Sequence, residues 1–132
     1  MERTVVIIDD SPFMADLLGG LFEDKLGFRV AATGTNGMHA VALFKKHRPD
    51  LITMDLTMPV KDGKSALKEI LADYPGARIL MVTSQMGPQI VECLKLGAAG
   101  YVEKPLQFDN PRFVEEFASI VADAVADRRA SI

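Results

Sequence analysis

The sequence predicts an α/β fold, a five-stranded parallel sheet in strand order 2-1-3-4-5 with helices on both faces. Three observations predict it. Short runs rich in Val and Ile recur through the 132 residues, and they are continuous rather than alternating, as in strands buried on both faces. Segments of helical periodicity separate these runs. The runs also stop on polar residues: Val5-Val6-Ile7-Ile8 on Asp9 and Asp10, Leu51-Ile52-Thr53-Met54 on Asp55, Ile79-Leu80-Met81-Val82 on Thr83 and Ser84, and Tyr101-Val102-Glu103 on Lys104.

Strands are expected near 4–9, 28–33, 50–55, 78–83 and 99–103. Ser11 followed by Pro12 is an N-cap with proline at the first helical position, opening a helix to about Lys25 that Gly27 closes. Asn36 caps a second helix to about Lys46, before Pro49 forbids continuation. A third covers Gly63 to Asp73 and stops before the turn Tyr74-Pro75-Gly76. A fourth runs from Pro88 to Gly97. The last opens near Asn110-Pro111, with Phe113, Val114, Phe117, Ile120, Val121 and Val125 on one stripe. In this strand order, strands 1 and 3 are neighbours at the switch point, and ligands bind beyond their carboxyl ends. Asp10 and Asp55 end those two strands.

The length suits a single core. A net charge of −3 gives no electrostatic support to a nucleic-acid or anionic-membrane role. The lone Cys93 excludes an intrachain disulfide. The four strongly apolar residues after Thr4 are too few for a signal peptide, and no run is long enough to span a membrane, so a cytoplasmic protein is expected.

If the strands are parallel, three carboxylates, a hydroxyl and an ammonium share one edge. Crowded carboxylates repel one another, and a divalent cation removes that cost. Oxygen donors select a hard cation such as Mg2+, which takes one or two carboxylates plus waters and phosphate oxygens. Asp10 and Asp55 are assigned as direct ligands, Asp9 as a ligand through water, and the Thr57 backbone carbonyl as completing the set. Asp55 is also the candidate nucleophile, because a carboxylate can attack phosphorus to give an acyl phosphate. Positioning and charge neutralisation then suffice for catalysis. Lys104 supplies a point charge, and the Thr83 hydroxyl supplies a hydrogen bond to a phosphoryl oxygen.

These residues resemble a response-regulator receiver domain, of flavodoxin-like fold, over essentially the whole chain. The resemblance rests on Asp9-Asp10, on Asp55 through Gly63, on Thr83-Ser84 and on Lys104-Pro105, in order at successive strand ends. It is greatest to stand-alone chemotaxis-type regulators. It implies a receiver domain over 1–126, with a polar tail at 127–132. It implies a histidine kinase or phosphotransfer domain as donor to Asp55, and a cis Lys104-Pro105 bond. It also implies that Thr83 and Tyr101 switch a face of helix 4, strand 5 and helix 5 toward a downstream target. The protein is expected to be monomeric, with dimerisation through that face open on phosphorylation. It is a switch with only self-phosphorylation and self-dephosphorylation chemistry, not a turnover enzyme. The chain departs from the pattern at His39, where the family often has glutamate, and at Leu106, where it usually has phenylalanine.

Each site residue also has an ordinary reading. Asp9 or Asp10 alone would be a helix cap, Thr83-Ser84 capping residues, Lys104 a solvated lysine and Tyr101 a plain strand aromatic. Met54, Met58, Met81 and Met86 read as core filler, and Gly19-Gly20 as a tolerated defect or a site of close helix packing. Three other functions compete. A haloacid-dehalogenase-type phosphatase uses similar groups, but places its two aspartates two apart on strand 1 and carries a cap domain. A flavin carrier needs a hydroxyl- and glycine-rich loop after strand 1, where this chain has Asp9-Asp10-Ser11-Pro12. The chain is alternatively the receiver of a longer transcription factor or methylesterase, although Met1 and the long final helix favour a complete regulator.

Overall fold

The structure is a computed structural model that describes residues 2–85 and 87–126. The expected tail at 127–132 and Met86 lie outside the described residues. Strands β1 (Arg3–Ile8), β2 (Phe28–Gly34), β3 (Leu51–Met54), β4 (Ile79–Thr83) and β5 (Gly100–Glu103) alternate with helices α1 (Pro12–Leu21), α2 (Gly37–His47), α3 (Gly63–Asp73), α4 (Pro88–Leu96) and α5 (Pro111–Val125). All strands pair in parallel, in the order β2-β1-β3-β4-β5.

Alternation along each strand divides the core into two layers. Val6, Ile8, Ile52, Met54, Ile79 and Met81 face α2, α3 and α4, where they meet Phe44, Leu67, Ile70 and Ile90. Val5, Ile7, Leu51, Leu80 and Val82 face α1 and α5, where they meet Leu18, Phe22, Phe117 and Val121. The ring pairs Phe22–Phe28 and Phe22–Phe117, at 5.2 and 5.7 Å, close the second layer with edge-to-face contacts. Met54, Met58 and Met81 are buried in the core, as the core-filler reading expected.

The helix ends follow the capping chemistry. The Ser11, Asn36, Asp62 and Asn110 side chains accept from the backbone N–H groups of Met14, His39, Ser65 and Arg112. Asp9 and Asp10 are therefore not the cap of α1. The α-helical part of α1 also stops sooner than periodicity suggests: Phe22–Leu26 form a π-helical turn, and Gly27, at φ +73°, closes it. Gly19 and Gly20 have no close-packing role, since a methyl at Gly20 would meet nothing within 4 Å and one at Gly19 would make ordinary contacts. Among the described residues, no helix is long and apolar enough to cross a membrane.

Candidate functional site

The register sets the site. Ile8 pairs with Met54, so the next residues along, Asp9 and Asp55, leave the sheet side by side. Ladder hydrogen bonds continue one step past the strands and hold those backbones: Asp9 N–H to Gly34 O (3.0 Å), Asp55 N–H to Ile8 O (3.1 Å) and Lys104 N–H to Thr83 O (2.9 Å). Three chain crossings thus deliver a carboxylate, a second carboxylate and an ammonium to one edge.

Lys104 Nζ donates to Asp9 Oδ2 at 2.7 Å and to Asp55 Oδ2 at 3.1 Å. Burial works against the ammonium, but the hydrogen bond to Asp9 and the charges of Asp55 and Asp9 outweigh it, so the Lys104 pKa lies above the ordinary lysine value. Asp9 is buried, and its other oxygen, Oδ1, accepts from Ser11 N–H at 2.9 Å. Asp10 is exposed at the mouth. Asp9, Asp10 and Asp55 each bring one oxygen within 4.8 Å of the others. Such an oxygen-only, acidic group suits a hard divalent cation. Both Asp9 oxygens already hold hydrogen bonds, whereas Asp10 is open to solvent.

Glycine permits the loop after Asp55. A methyl at Gly63 would lie 2.1 Å from the Asp55 carbonyl oxygen, and Gly63 N–H donates to Leu56 O at 2.8 Å. The chain folds back against its own strand there, and only a residue without Cβ allows it. The same loop contains Val60 at φ +68°. Its neighbours form a tight turn, Lys61 N–H donating to Pro59 O at 2.7 Å. A γ-turn with positive φ is rare, and for a β-branched residue it is strained by about 1–3 kcal/mol.

The remaining expected residues sit at different distances from this centre. Thr57 has an exposed side chain and lines a cavity of about 270 Å³ with Leu56, Met58, Lys64 and Gln85. Thr83 is fully buried, and its hydroxyl accepts from Gln85 N–H at 3.1 Å, so it caps a local turn in this state rather than helix α4. The N-cap of α4 is Gly87, which has no side-chain cap. Tyr101 is 40% exposed and lines a separate cavity of about 510 Å³ with Leu94, Phe113, Glu116, Phe117 and Ile120, between α4, β5 and α5. The Lys104-Pro105 bond is cis, as the resemblance implied. Sequence reasoning missed that Lys104 bridges Asp9 as well as Asp55, and that Ser11 N–H engages Asp9. Neither contact has a local signal, although Ser11, two residues after Asp9, has the spacing of an Asx turn.

Residues 5–114 match the model of the response regulator receiver domain, and the chain belongs to that family. Within it, the chain is a two-component response regulator closely related to chemotaxis proteins. It is 42% identical to the chemotaxis protein CheY of Thermotoga maritima, a match covering 81% of this chain and 89% of that protein. The structure of a CheX-CheY-BeF3-Mg+2 complex from Borrelia burgdorferi superimposes with a TM-score of 0.81 at 32% identity, covering 90% of this chain and 86% of that one. A protein-glutamate methylesterase/protein-glutamine glutaminase of Bacillus licheniformis is 42% identical over 104 residues, but these are only 29% of its length.

Proposed function

We propose that Asp55 accepts a phosphoryl group from the phosphohistidine of a histidine kinase or phosphotransfer domain. In the transfer, an Asp55 carboxylate oxygen forms a bond to phosphorus as the phosphorus–nitrogen bond to the imidazole breaks, and the imidazole nitrogen takes up a proton. The observation that carries this reading is the Lys104 ammonium held between Asp55 and Asp9 beside the exposed Asp10. An ammonium beside Asp55 would neutralise negative charge collecting on the transferring oxygens.

Mg2+ would be held by Asp10 and Asp55, with the Thr57 carbonyl and, through water, Asp9. When bound, it neutralises charge on the phosphoryl oxygens. The Borrelia relative is a complex with both Mg+2 and BeF3, a mimic of a phosphoryl group, and this supports the same chemistry for this chain.

The output is a change in partner affinity at the α4–β5–α5 face. Phosphorylation would draw the Thr83 hydroxyl from Gln85 toward the phosphoryl group, and Tyr101 would turn into the space behind it. One or two charge-assisted hydrogen bonds of about 1.5–3 kcal/mol each can shift a two-state packing equilibrium by a factor of ten or more. The cavity beside Tyr101 has an apolar floor of Leu94, Phe113 and Ile120 and carries Glu103 and Glu116. That suits a partner with an apolar anchor and basic flanks. On this reading the chain is a switch, not an enzyme that turns over a substrate, and it works in the cytoplasm.

Labelling with acetyl phosphate or a phosphohistidine donor, in the presence of Mg2+, tests the reading. Asp55→Asn should abolish labelling, and undiminished labelling would sink the assignment. A receiver belonging to a longer methylesterase is the second reading, favoured by the Bacillus licheniformis match. Blotting the endogenous protein at about 14.4 kDa, or at a much larger mass, separates the two.

A further inference from the structure

We propose that the ion pair between Lys64 of α3 and Glu92 of α4 is a latch on the unphosphorylated packing of α4, and that it sets how readily Asp55 takes a phosphoryl group. The inference rests on the phosphoryl-acceptor reading above and adds a regulator of that site.

Helix α4 is lightly held. Of its nine residues only Ile90 and Cys93 are buried, and Val91, Leu94 and Leu96 are exposed. Helices α1, α2, α3 and α5 each begin under a side-chain cap, but the N-cap of α4 is Gly87, at φ +93°, which supplies none. Gly97, at φ +120°, ends it. A helix bracketed by glycines and anchored by two side chains can shift against its neighbours with little loss of packing.

Helix α3 is the opposite. It buries Gly63, Ala66, Leu67 and Ile70, and Asp62 caps it. Its first residue is locked to the site, because a methyl at Gly63 would collide with the Asp55 carbonyl oxygen. Lys64 is the next residue. It lines the cavity that Thr57 and Gln85 share, and its Nζ donates to Glu92 Oε2. Among the described residues, no other ion pair joins α4 to another helix. The shared hydrogen bond holds the Glu92 carboxyl below the ordinary carboxylate range and the Lys64 ammonium above the ordinary lysine value, so both are charged at neutral pH.

The pair therefore ties a lightly held helix to a fixed one, close to Asp55. The segment leading into α4 starts at Thr83, whose hydroxyl accepts from Gln85 N–H at 3.1 Å, two residues before Gly87. When a phosphoryl group draws that hydroxyl away, the turn loses its bond and the start of α4 is released. The Lys64–Glu92 pair then opposes displacement of α4 from α3. An exposed ion pair adds little to overall stability. Across a two-state packing, the same small term multiplies the population ratio, so it weakens a ligand that prefers the released state by that factor.

Binding of beryllofluoride, a mimic of the phosphoryl group, in millimolar Mg2+ tests the inference with Lys64→Met, Glu92→Gln and the double variant. Each single substitution should tighten binding about two- to fivefold, the factor an exposed ion pair supplies. The double variant should bind no more tightly than either single one, because both remove the same pair. Unchanged or weaker binding in either single variant would overturn the latch, and so would tightening that adds in the double variant. A general charge effect would move the two single variants in opposite directions, which also counts against it. Failure of the unaltered chain to bind beryllofluoride at all would instead overturn the acceptor reading.

Discussion

Replacing Lys104 by methionine removes the ammonium from between two carboxylates while keeping most of the stem. Two charge-assisted hydrogen bonds are lost, at 2.7 Å to Asp9 and 3.1 Å to Asp55. Each is worth about 1.5–3 kcal/mol when made. Breaking a fully buried ion pair from one side costs about 3–5 kcal/mol. The Lys104 side chain is 15% exposed and Asp10 opens the mouth of the site, so water re-enters and relieves part of this. The expected loss is about 2–4 kcal/mol at neutral pH without divalent cations. At about 3–4 °C per kcal/mol for a domain of this size, the melting temperature falls about 6–16 °C. The assay is thermal unfolding followed by circular dichroism, in EDTA and in millimolar Mg2+. On the proposed reading the cation replaces the missing charge, so Mg2+ raises the variant's melting temperature more than that of the unaltered protein. A melting temperature within about 2 °C of the unaltered protein in EDTA would refute the claim that Lys104 neutralises the site. An equal Mg2+ increment in both proteins would refute the shared location of ammonium and cation.

Four other outcomes follow from the same geometry. Because the folded Lys104 pKa is raised, its stabilisation is complete below the ordinary lysine value of about 10.4 and disappears as pH rises through the folded value. The stability gap between Lys104→Met and the unaltered protein should therefore close in alkaline titration and stay open from about pH 7 to 9. Gly63→Ala sets a methyl 2.1 Å from the Asp55 carbonyl oxygen; denaturant unfolding should show a loss of about 3 kcal/mol or more, or no folded protein. Val60→Gly relieves turn strain of about 1–3 kcal/mol against a glycine entropy cost of about 0.5–1 kcal/mol, so denaturant midpoints should rise or hold, never fall sharply. Cys93 is a buried free thiol whose pKa burial pushes up, so an aromatic disulfide reagent should modify it only as fast as the chain opens.

What is legible in the sequence is whatever local pattern encodes. Continuous apolar runs mark β1, β3 and β4 to within about two residues, because burial on both faces leaves no alternation to misread, whereas the edge strands β2 and β5 are only partly buried. Ser11, Asn36 and Asn110 mark helix starts through their own side-chain oxygens, and Asp62, unread in the sequence, does the same for α3. The edge position of Asp9, Asp55 and Lys104 is legible because a parallel sheet puts all its carboxyl ends together. Less legible is what depends on partners far along the chain. The Lys104–Asp9 contact spans 95 residues, and nothing near either residue announces it. The π-helical turn at Phe22–Leu26 is hidden because its residues carry the same apolar period as a longer α-helix. The Val60 turn is hidden for the opposite reason: its sequence contradicts its conformation.

That contradiction separates two kinds of constraint around one centre. Gly63 and Ser11 obey their backbones and serve the geometry at Asp55 and Asp9, and Gly37 obeys its own against the loop after β3. Val60 disobeys its backbone in a loop held as firmly. The site and the α4–β5–α5 face are joined by strand pairing: Thr83 pairs with Glu103, and Met81 with Tyr101, across β4 and β5. Lys104 follows Glu103 directly and shares a ladder bond with Thr83. On the proposed reading, a change in what Lys104 and Thr83 bind has a short route to Tyr101 along these two adjacent strands. On that reading the site and the α4–β5–α5 face are coupled along β4 and β5, at the end of the sheet away from β2.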